Sequence, residues 1–135
     1  SVASAIALGA DFAYLGTRFI ATEEANAEPE YKKMLEESAA KDIVYSSLFT
    51  GVLGNYLKPS IENAGMDPEN LPDADKTSMN FGSGGNTDSK AWKDIWGSGQ
   101  GIGGIQDSPT VSELVGRLKK EYEEAFNEFK SKMGV

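Results

Sequence analysis

The first sixteen residues constrain the fold more than any other stretch, because one helix, one sharp turn and one short apolar run follow in immediate succession. Ser1 is a suitable N-cap, and Val2, Ala5 and Ile6 share a face at helical spacing, which predicts a helix over residues 1–8. Gly9 is a natural residue to end it. Phe12-Ala13-Tyr14-Leu15 predicts a short buried strand that stops at Gly16. A helix, a Gly-Ala-Asp turn and an apolar strand make the αβ half of a repeating βα unit, so an α/β fold is expected.

Further along, Glu28-Pro29 predicts a helix start, since proline has the fixed φ of a first turn. Tyr31, Met34, Leu35 and Ser38 mark one face of that helix, which should end near Ala40. Ile43-Val44-Tyr45 is a short β-prone run, and residues 46–55 read as a loop. A short helix is expected over Tyr56–Asn63, capped by Asn55, with Pro59 in its first turn and Gly65 at its end. Residues 66–89 hold Pro68, Pro72, Gly82, Gly84 and Gly85. They read as a linker or as a long functional loop, since Met79 and Phe81 lie in it and Trp92 and Trp96 follow.

The last helix is the clearest element. Ser108 is its expected cap with Pro109 at the first position, and Thr110 with Glu113 offers an alternative capping box. Val111, Leu114, Val115, Leu118, Tyr122, Ala125, Phe126, Phe129 and Met133 form one apolar stripe, which should pack on something. The chain thus divides into an αβ step with following helices (1–65), a Gly/Pro-rich loop (66–107) and a C-terminal amphipathic helix (108–135). No internal repeat is present.

Composition narrows the chemistry. There is no histidine, which removes the commonest general base and metal ligand, and no cysteine, which removes disulfides and thiolate sites. No metal site is expected. The net charge of −8 opposes phosphate backbones, and Lys32-Lys33 and Lys119-Lys120 sit within acidic helices, so nucleic-acid binding is not expected. The longest apolar stretch, Val2 to Leu15, is broken by Ser4, Gly9 and Asp11 and falls short of the roughly 20 residues of a membrane span. It also lacks the basic region and initiating Met of a signal peptide. A cytoplasmic location is expected, and a chain opening at Ser1 reads as one that begins partway through a longer protein.

Two stretches could hold a ligand. Leu15-Gly16-Thr17-Arg18-Phe19 ends a strand in Gly-Thr, where backbone amides can cradle a phosphate and a Thr hydroxyl can add a donor. In (β/α)8 barrels the phosphate site commonly follows the last two strands. Five glycines in the eight residues Gly97–Gly104 allow a close backbone approach. Gly99, Gly101 and Gly104 have dinucleotide-fingerprint spacing, yet no strand precedes them and no helix follows directly. Glu23-Glu24 and Glu36-Glu37 read as solvated faces. Without histidine no Ser-His-Asp arrangement is possible.

The run Ala5-Ile6-Ala7-Leu8-Gly9-Ala10-Asp11 through Gly16-Thr17-Arg18-Phe19-Ile20-Ala21-Thr22-Glu23-Glu24 resembles the strand-eight region of nitronate monooxygenase (2-nitropropane dioxygenase) flavoproteins. Ala64 to Pro72 and Lys90 to Gly101 are similar to the C-terminal region of longer bacterial members. The resemblance implies the C-terminal portion of an FMN-binding (β/α)8 TIM barrel, helix-rich as a fragment. It places Gly16 and Thr17 at the FMN phosphate and Gln100 near the flavin face. It implies a small-molecule substrate and a parent enzyme that oxidises alkyl nitronates with O2. Flavin enoyl reductases and quinone reductases share much of the pattern, so an NAD(P)H-dependent reductase is the alternative.

That family's catalytic His belongs to a Gly-Gly-His motif earlier in the barrel, and this chain has none, so no catalytic residue is expected within it. A closed barrel takes roughly 250 residues. A lone strand at Phe12–Leu15 would show two unpaired edges. The chain alone is therefore expected to be inactive and to need the remainder of the barrel, with a homo-oligomer left open.

Overall fold

The computed structural model describes residues 2–72 and 94–134. Ser1, Met79, Phe81, Trp92 and the glycines between 82 and 85 lie outside the described residues. Two compact units are present, one formed by residues 1–27 with 107–135, the other by residues 28–106.

In the first unit, α1 (Val2–Ala7) ends before Gly9, whose φ of +92° is the left-handed value expected after a helix. The predicted strand at Phe12–Leu15 does not form. Phe12 is 89% exposed and Tyr14 fully so, and the sheet among the described residues lies elsewhere. A strand exists through the bonds its neighbours supply, and among the described residues this apolar run has no strand beside it. After Gly16 comes a single helical turn, α2 (Thr17–Ile20).

The second unit opens with α3 (Pro29–Glu37), Pro29 standing in its first turn. Leu35 and Ser38 are buried and Tyr31 and Met34 half-buried, the face that the spacing predicts. After a 3-10 turn at Ala40–Asp42, β1 (Ile43–Ser46) pairs antiparallel with β2 (Gly54–Leu57), Val44 opposite Tyr56 and Tyr45 opposite Asn55. The second strand replaces the first part of the predicted helix. Only α4 (Lys58–Asn63) is helical, with Pro59 in its first turn and Gly65 (φ +82°) beyond its end. Pairing with β1 outweighs the local preference of Tyr56 and Leu57.

Residues 96–98 lie along β2. The Leu57 amide donates to the Trp96 carbonyl (2.8 Å) and the Ser98 amide to the Asn55 carbonyl (3.2 Å). A Cβ on Gly97 would meet the Asn55 oxygen at 3.3 Å, so one glycine of the rich run serves a close approach to the chain's own strand. Trp96 stacks on Tyr31 with ring centres 5.0 Å apart, and the Tyr31 hydroxyl donates to the Gly97 carbonyl. Burial pushes the Tyr31 phenol upward. Tyr56, Ile61 and Ile95 form a buried core, flanked by Val44, Phe49, Met66 and Leu71.

The long helix α5 (Val111–Met133) belongs to the first unit, where α1 packs against it. Its cap is Thr110, not Ser108. The Glu113 amide donates to the Thr110 hydroxyl (3.2 Å), and the Thr110 amide donates to the Glu113 carboxylate (3.0 Å). This reciprocal pair satisfies both ends of the box, which Ser108 cannot match because Val111 stands three residues after it. Contrary to expectation, only the first half of the stripe is covered, with Leu114 buried and Tyr122, Phe126, Phe129 and Met133 exposed.

Candidate functional site

The Gly16–Thr17 turn lies in the first unit and Gln100 in the second. Gly16 has φ −98° and ψ −74°, a right-handed conformation open to any residue, and a Cβ there would meet nothing within 4 Å. Neither backbone strain nor the chain's own packing therefore calls for glycine. Gly16 is exposed, and its carbonyl accepts from the Phe19 amide at 2.9 Å. Among the described residues its own amide has no acceptor. Thr17, half-buried, brings a hydroxyl to the same turn. The donor set is neutral N–H and O–H, the chemistry that suits an anion.

The residues after the turn anchor it. The Arg18 guanidinium, 15% exposed, donates to the Ala21 carbonyl (2.9 Å), the Asp107 carbonyl (3.1 Å) and the Asp107 carboxylate (3.0 Å). Arg117 grips the same carboxylate through both of its terminal nitrogens, at 2.9 and 2.8 Å. The Arg117 hydrogen bond, with the nearby Arg18 charge, holds the Asp107 carboxyl below the usual carboxylate range. The buried Thr22 hydroxyl donates to the Phe19 carbonyl at 2.8 Å, closing the α2 turn.

Glu24, read from sequence as a solvated charge, instead accepts from the Val111 amide with both oxygens (2.9 and 2.8 Å). It therefore caps α5 alongside Thr110, a carboxylate at the positive end of a long helix. The Glu23 amide donates to the Pro109 carbonyl at 3.0 Å. The stretch Arg18 to Glu24 is thus a brace that ties the turn after Gly16 to the start of α5. Sequence reading missed Arg18, Glu24 and Asp107, because the partners stand 87 and 89 positions apart and no local signal links them.

Gln100 opens an exposed 3-10 turn (Gln100–Gly104) held by the buried Ile102. A Cβ at Gly101, Gly103 or Gly104 would meet nothing within 4 Å. A shallow cleft of about 550 Å³ in the second unit is lined by Glu30, Lys33, Met34, Glu37, Lys41 and Asp42, among others. No described side-chain polar atom that is buried lacks a partner. No cluster of three or more metal-ligating side chains occurs among the described residues, and none of their helices is long and apolar enough to cross a membrane.

Comparison with known proteins gives this arrangement a context. A nitronate monooxygenase of Paraburkholderia phytofirmans is 28% identical over 134 residues, covering 96% of this chain and 36% of that protein. Among solved structures, a point mutant of FabK from Thermotoga maritima superimposes with a TM-score of 0.66 at 21% identity, covering 96% of this chain and 39% of that one. The helix-rich α/β arrangement described above is therefore shared with a part of FabK. The chain spans little more than a third of the length of either relative. The family model for nitronate monooxygenase matches residues 1–121, the brace and the glycine-rich turn included, and the chain belongs to the nitronate monooxygenase family.

Proposed function

We propose that this chain is part of an FMN-dependent oxidoreductase built on a (β/α)8 barrel, which oxidises alkyl nitronates with O2. The observation that carries the reading is the family match along residues 1–121, which contains the turn at Gly16. The turn itself agrees in kind. It offers the amide of an exposed glycine that has no acceptor among the described residues, with open space where a side chain would stand and the half-buried Thr17 beside it. We assign Gly16 and Thr17 to the FMN phosphate.

The division of labour follows from the contacts. Arg18 is turned toward Ala21 and Asp107, so its charge holds the turn in place and is spent on protein partners. Gly16 and Thr17 would then bind the phosphate through amide and hydroxyl donors. Gln100 is assigned to the flavin's surroundings as an exposed amide able to donate and accept. FMN, when bound, supplies the redox chemistry. The proton-abstracting base is assigned to a His outside this chain, which has none.

The test is made on the protein expressed from its complete reading frame. It should purify with a flavin spectrum and consume O2 with propionate-3-nitronate. A protein that purifies without flavin and ignores added FMN would sink the reading. Rapid anaerobic bleaching by NADH or NADPH, without nitronate turnover, would replace it with a reductase of quinones or enoyl thioesters.

A further inference from the structure

The apolar stripe of α5 changes character after Leu118. Val111, Leu114, Val115 and Leu118 are buried or half-buried, whereas every residue from Glu121 to Gly134 is exposed. Tyr122, Phe126, Phe129 and Met133 continue the stripe at steps of four, three and four, the a and d spacing of a two-stranded coiled coil. Phe129 is 57% and Met133 60% exposed.

The charges beside the stripe indicate what covers it. Lys120 pairs with Glu124 and Glu128 with Lys132, each within the helix. Glu123 and Lys130 have no ion-pair partner among the described residues, although the Lys130 ammonium stands 4.7 Å from the Phe126 ring centre. With Phe126 and Met133 at a and Tyr122 and Phe129 at d, Glu123 and Lys130 both fall at e. Parallel pairing sets e against g, where Ala125 offers Lys130 no charge. Antiparallel pairing sets e against e. Placing Phe126 against Phe129 of the second copy, and Tyr122 against Met133, brings each Glu123 beside the other copy's Lys130.

We propose that the exposed half of α5 is a self-association surface, on which two copies of this protein pair antiparallel about a two-fold axis. The two-fold makes the contact isologous, so one stripe and one pair of unlike charges serve both partners. The segment from Lys119 to Met133 spans about 22 Å at 1.5 Å per residue. That is short, so the pair belongs at the weak end of specific interfaces, with Kd of about 10 μM in order of magnitude.

The test is sedimentation velocity of the protein from its complete reading frame, over about 1 to 200 μM, a range that brackets such a Kd. A reversible monomer–dimer equilibrium is expected. Glu123→Lys and Lys130→Glu should each weaken it about tenfold, since each turns two attractive contacts repulsive. The double variant should restore it. Both positions are exposed, so the variants should keep the wild-type circular dichroism. A monomer at every concentration, with the stripe shielded by another part of the same molecule, overturns the proposal. So does a dimer whose Kd ignores the reversals, or single losses that the double variant fails to rescue.

Discussion

Replacing Arg18 by Ala tests the brace from Arg18 to Glu24. The side chain is 15% exposed and makes three hydrogen bonds, two to main-chain carbonyls and one to a carboxylate. The ion pair is discounted, because Asp107 is 46% exposed and keeps Arg117, leaving about 0–1 kcal/mol. The carbonyl bonds matter more. Ala21 is fully buried, so water does not readily replace the lost donor. A charged donor to a carbonyl contributes about 1.5–3 kcal/mol, and the Asp107 carbonyl regains part of its bond from solvent. The sum is a loss of about 2–4 kcal/mol. Urea unfolding followed by circular dichroism reads it directly. Arg18→Lys should recover less than half, because an ammonium cannot span the carbonyl and carboxylate acceptors as a guanidinium does. An Arg18→Ala protein within 0.5 kcal/mol of wild type, on the surface-substitution scale, would refute the reasoning.

Two further outcomes follow from the same region. Thr110→Ala should cost about 1 kcal/mol while Thr110→Ser stays near wild type, because the capping box needs only the hydroxyl; equal losses in urea unfolding would contradict this. Asp107 has a folded-state pKa below its ordinary 3.8, so its contribution is present above that value and is lost as pH falls through the depressed one. Asp107→Asn should therefore flatten the stability–pH curve below about pH 4, with acid titration of the unfolding midpoint as the check.

Helices were the legible part of this chain. Pro29, the Tyr31–Ser38 face and the Thr110–Glu113 pair each state their structure within a few residues, as capping and periodicity do. Strands were less legible because they depend on a partner. Phe12–Leu15 has β-prone residues and, among the described residues, no neighbouring strand, whereas Gly54–Leu57 reads locally as loop and helix and becomes a strand beside Ile43–Ser46. The site divided in the same way. The Gly-Thr turn is visible as a pattern. The Arg18–Asp107 and Glu24–Val111 contacts that hold it join residues far apart in sequence, and no local rule reaches them.

The assignment of FMN's phosphate to the Gly16 amide is tested most directly by FMN titration of a Gly16→Asp protein expressed from its complete reading frame. The backbone there is right-handed and a Cβ meets nothing, so the substitution adds a carboxylate without strain. With circular dichroism and urea midpoint unchanged, FMN affinity should fall about a hundredfold or more, the order of nearly 3 kcal/mol. A variant that binds FMN as tightly as wild type would contradict the account, because no phosphate could then rest against that amide.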